Sequence, residues 1–242
     1  MDEMIKILDA HTHILPEIDD GAKNSDISFE MLQSLSNQGV KAICLTPHYY
    51  HLEETQDEFL EKRAEAFSKI SDFAEPLDLE LFLGAEVYFT PDLLNERDIS
   101  ELCIGKSRYL LLEFPYSFGF ASKDEFLLER FINNLNVIPI LAHIERYSPL
   151  VKNEKTLTSY LDMGCLAQIN ISSIESGYFM KKRLLRHLEK GFIQFLGTDC
   201  HNLSSRPPEC ERGLKAITEK LGKEFMDSFW EAVNSRMKSF RG

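Results

Sequence analysis

Apolar, β-prone runs recur along the chain at 5–8, 40–45, 79–85, 109–114, 137–142, 165–171 and 192–196. Most are separated by segments with helical spacing. Phe29, Met31, Leu32 and Leu35 precede Gly39; Phe59, Ala66, Phe67 and Ile70 precede Pro76; Phe126, Leu127, Phe131 and Leu135 follow. Two more helices are predicted before Gly164 and Gly191, glycine being a common helix terminator. The last stretch, about 210–240, reads as two helices hinged near Gly222 that cap the rest. Strand runs apolar on both faces and alternating with helices imply parallel strands covered by helices. No Pro/Gly/Ser-rich linker divides the seven units, so 1–242 is read as one α/β domain, a TIM-like barrel. An open doubly wound sheet is the alternative, and in both the chemistry sits at the C-terminal ends of the strands.

Those ends are unusual. The first run leads into Asp9-Ala10-His11-Thr12-His13, and residues two apart on a strand share a side. The second leads to Thr46-Pro47-His48, the third to Glu86, the fourth to Glu113, the fifth to His143 and the last to Asp199-Cys200-His201. The sixth ends Gln168-Ile169-Asn170, without an ionisable group. One such residue is most simply a surface side chain, but their convergence on one mouth predicts a polynuclear metal site. Imidazole and carboxylate ligands suit Mn, Fe or Zn in a catalytic role rather than a Cys-bound structural zinc. Cys200, between Asp199 and His201, points the other way.

Composition narrows the partners. The 242 residues carry a formal charge of −12, which argues against nucleic acid as a ligand. Neither a signal peptide nor an apolar run of bilayer length is found, and five cysteines with no C-x-x-C pair make a poor disulfide framework. A reducing, cytoplasmic setting without membrane insertion is expected.

The ordered motifs resemble the polymerase-and-histidinol-phosphatase (PHP) superfamily. Asp19-Asp20-Gly21, Gly84-Ala85-Glu86-Val87-Tyr88, Ala142-His143-Ile144-Glu145-Arg146-Tyr147 and Asp199-Cys200-His201-Asn202 with Arg206-Pro207-Pro208 are similar to its bacterial tyrosine-protein phosphatases of capsule and exopolysaccharide loci. The resemblance implies a distorted seven-unit barrel with three divalent ions, manganese favoured. It implies that His11, His13, Glu86 and Asp199 hold one ion. Glu86 bridges to a second held with Glu113 and His143, and Asp20, His48 and His201 hold the third. It also implies a phosphotyrosyl protein substrate, a bacterial tyrosine kinase that controls polysaccharide export. Relatives with a basic cluster after the second-strand histidine differ from this chain, which has Tyr49-Tyr50-His51-Leu52-Glu53-Glu54.

Charge fits this chemistry. Four carboxylates against three divalent ions leave a pocket of about +2, which a phosphomonoester of about −1.5 to −2 would offset. The expected reaction is attack on phosphorus by a hydroxide bridging the Glu86-linked ions, with Arg146 and Arg206 on the phosphoryl oxygens. Asp9 is read as orienting a ligand imidazole or as a buried hydrogen-bonding group. His51 is left out of the site, and His187 is assigned to a solvated helix face. The rivals are a histidinol-phosphate-type phosphatase, a PHP nuclease and a metal-binding regulatory protein without turnover. Cys200 to Arg206 also spells C-x5-R, the spacing of cysteine-dependent tyrosine phosphatases. It lacks the glycines such a loop needs to wrap phosphate, and Pro207-Pro208 withholds two donors; it is read as coincidence.

Overall fold

The apolar runs form parallel strands in a computed structural model whose described residues are 5–242. β1 spans Ile7–Thr12, β2 Val40–Leu45, β3 His48–Tyr49, β4 Glu80–Leu83, β5 Glu86–Tyr88, β6 Tyr109–Glu113, β7 Ile138–Leu141, β8 Leu166–Asn170 and β9 Phe195–Gly197. β1, β2 and β4 pair in that order, and β3, β5, β6, β7, β8 and β9 pair in theirs. The two sets are joined where Gly84 N–H donates to Leu45 O and Glu86 N–H to Pro47 O, both at 2.9 Å. β2 and β4 thus run into β3 and β5 with a kink between. The result is a curled parallel sheet whose order follows the chain, with no reversal of the kind a doubly wound sheet requires.

Its first and last strands meet. Thr12 bridges to Cys200, Asp199 N–H donates to His11 O at 2.8 Å, and His13 N–H donates to Cys200 O at 3.0 Å. Asp9 fastens the same seam: its carboxylate accepts from Thr198 N–H at 2.9 Å and Thr198 Oγ1 at 2.6 Å. Chain segments nearly two hundred residues apart are thereby stitched together at the C-terminal end of the sheet.

Helices cover the outside: α1 Ser25–Asn37, α2 Gln56–Ser68, α3 Ser122–Leu135, α4 Ser148–Lys152, α5 Glu154–Asp162, α6 Tyr178–Glu189, α7 Glu211–Leu221 and α8 Lys223–Arg241. Asn24 caps α1 by accepting Ile27 N–H, and Thr55 with Glu58 forms a reciprocal capping box on α2. Helix α2 stops at Ser68, well before Pro76, and β5 is joined to β6 by short 3-10 turns, Pro91–Asn95 and Ser100–Leu102, instead of an α-helix. α7 and α8 do hinge at Gly222, whose φ of +91° suits glycine. His187, expected on a solvated face, is buried with Nε2 3.1 Å from Val151 O. The neighbouring Leu184, Leu185 and Leu188 are also buried, so this side of α6 faces the core.

Candidate metal centre

His11 and His13 alternate along the end of β1, so both rings leave the strand on one side. Their Nε2 atoms approach to 3.0 Å. Glu86 Oε2 lies 3.2 and 3.3 Å from them, and Asp199 Oδ1 lies 3.5 Å from each. Separations of 3.0–3.5 Å suit ligands standing about 2.0–2.2 Å from a shared cation, and His11, His13 and Glu86 converge closely enough to hold one. The other carboxylate oxygen, Glu86 Oε1, faces away from this group and lies 2.9 Å from His143 Nε2. His143 Nε2 is in turn 3.4 Å from Glu113 Oε1. A third group gathers His48, Asp20 and His201: Asp20 Oδ1 is 3.6 Å from His48 Nε2 and 3.3 Å from His201 Nε2. His13 stands beside it, its ring centroid 3.8 Å from that of His201.

The fold supplies each side chain from a strand end. His48 and Glu86 are directly paired across β3 and β5. Glu113 closes β6, while His143 and Asp199 follow β7 and β9 in the left-handed region, at φ of +32° and +55°. Such backbone strain in non-glycine residues is concentrated at sites where geometry is over-determined. Gly197 has no room for a side chain, since a Cβ there would meet His11 Cβ at 2.7 Å. Asp20 is the outlier, with 67% of its side chain exposed on the loop after β1.

Several neighbours fix the rings. Asp19 Oδ2 is 2.7 Å from His13 Nδ1 and also accepts His48 N–H at 3.0 Å, while Oδ1 accepts Gly21 N–H. That makes Asp19, not Asp9, the carboxylate that orients a ring. Asp9 takes the alternative buried role at the seam, where burial raises its pKa to about 6 against the hydrogen bonds from Thr198. Gln168 Oε1 accepts His143 N–H at 2.7 Å and lies 3.4 Å from His11 Nδ1. Gln168 Nε2 donates to Asn170 Oδ1, and Asn170 Nδ2 donates to Asp199 Oδ2 at 2.8 Å. The strand without an ionisable residue therefore braces three of the site's side chains. Its signal was two polar residues at alternating positions of an otherwise apolar run.

Electrostatics follow from this crowding. Burial disfavours charge on Glu86, yet His11 and the hydrogen bonds from His11, His13 and His143 hold its carboxyl well below the usual range. Burial and the Glu86 charge push Glu113 up to about 7. Burial, His13 and Arg206 together draw His201 down to about 4. The donor set is nitrogen and oxygen throughout: Glu86 Oε2 is crowded by His11, His13 and His48 Nδ1, the last at 2.9 Å, and the buried His48 Nδ1 and His201 Nε2 have no partner of hydrogen-bond geometry. Unsatisfied buried atoms of this kind are costly, and divalent cations would satisfy them. On donor chemistry and on spacing, the residues fit metal ions.

Arg146 and Arg206 border the cluster, and both reach Asp199: Arg146 Nη2 is 2.5 Å from Oδ2 and Arg206 Nη2 is 2.6 Å from Oδ1. About a third of each side chain remains exposed. Arg146 does not pair with Glu145, which instead accepts from Asn170 N–H and Ser173 Oγ. Tyr50 lies over the mouth with its ring 5.4 Å from that of His48 and 5.6 Å from that of Tyr88. His51 points elsewhere, 3.4 Å from Glu96. The thiol of Cys200 is fully buried, and burial raises its pKa well above the usual value. A nucleophilic cysteine needs the opposite, an accessible thiolate.

Known proteins share this arrangement of chain. The family model described as capsular polysaccharide synthesis, CpsB/CapC, matches residues 7–237. The tyrosine-protein phosphatase CpsB of Streptococcus pneumoniae is 35% identical over 227 residues, covering 89% of this chain and 91% of that protein. The putative tyrosine-protein phosphatase CapC of Staphylococcus aureus is 30% identical over 241 residues, covering 96% and 93%. A crystal structure from work on YwqE of Bacillus subtilis and CpsB of S. pneumoniae, described as unique metal-dependent tyrosine phosphatases, superposes with a TM-score of 0.78 at 26% identity, covering 97% of this chain and 95% of that one. At the level of fold alone, a phosphotriesterase homology protein of Escherichia coli gives a TM-score of 0.55 at 10% identity. With a family match across most of its length and a relative at 35% identity, the chain belongs to the CpsB/CapC family of capsular polysaccharide synthesis.

Proposed function

We propose that the chain is a metal-dependent protein-tyrosine phosphatase that removes phosphate from a bacterial tyrosine kinase controlling capsule or exopolysaccharide synthesis. The observation that carries this reading is the division of Glu86, one oxygen toward His11 and His13 and the other toward His143, with two partly exposed arginines beside it. The curled sheet is taken as a distorted barrel of seven units, and 1–242 as one phosphatase domain. His11, His13, Glu86 and Asp199 would hold one ion, Glu86 with Glu113 and His143 a second, and Asp20, His48 and His201 a third. Manganese suits these ligands, as would iron or zinc. Divalent ions held there would supply Lewis acidity toward a phosphoryl oxygen and an attacking water.

The protein's own groups do the rest. Arg146 and Arg206 present forked N–H donors that match phosphoryl oxygens in geometry and charge. Asp199, which both arginines touch, sets their spacing before a substrate arrives. Tyr50 and Tyr88 form an aromatic wall against which a phenol ring stacks. The departing phenol has an ordinary pKa of about 10, so its oxygen leaves with less protonation than an alkyl alcohol requires.

Phosphate release from a phosphotyrosyl peptide, a phosphoseryl peptide and histidinol phosphate tests the reading, each with Mn²⁺ and after chelation. Turnover of the phosphotyrosyl peptide that stops with chelator is expected. Preference for histidinol phosphate would move the chain to the small-molecule phosphatases. No turnover of any of them would make it a binding protein.

A further inference from the structure

Although the chain is acidic overall, at −12, one face concentrates cations. Helix α6 carries Lys181, Lys182, Arg183 and Arg186 against one acid, Glu189, and Lys190 follows as its C-cap. Arg186 and Lys190 pair with Glu154 at 3.1 and 2.6 Å. Lys181, Lys182 and Arg183 have no salt bridge among the described residues. Lys152 on α4 and Lys220 on α7 extend the positive area to both sides. At the tip of α6, Tyr178 and Phe179 are 72% and 80% exposed, their rings edge to face at 5.5 Å. Two adjacent aromatic side chains held in water are an unfavourable surface unless something covers them. Beside them a groove of about 890 Å³ has Lys181, Lys182, Arg186 and Lys220, with the single acid Glu189, around Leu185 and Leu221.

We propose that this face docks on an anionic phospholipid surface, with Tyr178 and Phe179 entering the headgroup layer and the cations of α6 facing lipid phosphates.

The pattern favours a bilayer over an acidic polypeptide for three reasons. The charges spread over three helices, which suits a diffuse surface potential rather than a point partner. Cations rimming an apolar floor match an amphiphile with a charged head and an acyl chain. The face offers no free sheet edge to align a peptide backbone, the commonest way of holding an extended segment.

Co-sedimentation of the full chain with vesicles decides the matter, using phosphatidylcholine alone and phosphatidylcholine with phosphatidylglycerol. The expected result is binding only to the second, weakening as salt is raised. Two variants separate the contributions: Lys181→Glu/Lys182→Glu/Arg183→Glu, and Tyr178→Ser/Phe179→Ser. The charge reversal should weaken binding on the order of 100-fold or more, at about fivefold for each of the three cations lost. Both variants should keep their thermal melting and their turnover of p-nitrophenyl phosphate, since neither touches the metal centre. Absence of wild-type binding, equal binding to both vesicles, or undiminished binding by the charge reversal would each overturn the proposal. Capture by an immobilised polyglutamate peptide without vesicle binding would overturn it in favour of an acidic polypeptide.

Discussion

Asp19 grips His13 through Nδ1 at 2.7 Å, which leaves Nε2 turned toward Glu86. The same carboxylate accepts the backbone N–H of His48, so one acid fixes a ring in one group of the site and the backbone of a residue in another. Against its own burial, the bond to His13 holds its pKa at about 2. Asp19→Ala should therefore lower metal affinity about 10- to 100-fold, the usual effect of losing a ligand's outer partner. Calorimetric titration with Mn²⁺ measures this, with turnover at saturating metal less affected than affinity. Unchanged affinity would remove Asp19 from the orienting role.

Arg146→Ala should act differently. Its guanidinium touches Asp199 and lies 3.9 Å from Glu113, but it offers no ligand atom of its own. Loss of a charged donor to the phosphoryl oxygens is expected to cut kcat/KM by about 10²–10³, while metal content measured by atomic emission stays at the wild-type level. Wild-type turnover would show that Arg146 only anchors Asp199.

Cys200→Ser distinguishes the two routes to phosphotyrosine hydrolysis. The thiol sits in the core behind the seam between β1 and β9, so the change should destabilise by about 1–3 kcal/mol, as for a buried polar substitution. Turnover at a temperature where the variant is folded should remain within a few-fold of wild type, whereas chelation should abolish it. Loss of all activity in a folded, metal-loaded variant would restore the cysteine mechanism.

Glu80 ties the far end of the molecule. It accepts Arg241 Nε at 2.6 Å and Nη2 at 2.8 Å, with Lys6 Nζ at 2.9 Å, joining β4 to the end of α8. The bond from Arg241 depresses its pKa from 4.5 to about 2. A depressed carboxylate contributes stability that is complete above its unfolded pKa and is lost as pH falls through the folded one. Thermal melts of wild type and Glu80→Gln should thus differ at neutral pH by about 1 kcal/mol, allowing for partial exposure, and converge between pH 4.5 and about 2. A difference that persists at the acid end would contradict this.

Much of the site was legible because period-two alternation is a local property. His-x-His and Asp-x-His must show one side to the same space once they are placed at the end of a strand. The helices and most strands followed from apolar spacing in the same way. What stayed hidden depends on segments distant in sequence. Asp9 and Asp19 are equivalent as letters near His11 and His13, and only the loop that folds back on His13 selects Asp19. Gln168 and Asn170 carry no charge, yet in a buried strand each must find partners, and these lie on β1 and on the loops after β7 and β9. His187 looked solvated beside Arg183 and Arg186, but its turn of α6 lies against α4, where Val151 O meets the ring.

The central claim is that His11, His13, Asp20, His48, Glu86, Glu113, His143, Asp199 and His201 surround divalent ions at one mouth. Anomalous diffraction at the manganese edge, from crystals soaked in Mn²⁺, tests it most directly. The account predicts peaks on both sides of the Glu86 carboxylate, with a further one between His48 and His201. Empty density there in crystals whose wild-type protein hydrolyses phosphotyrosine at full rate would contradict it.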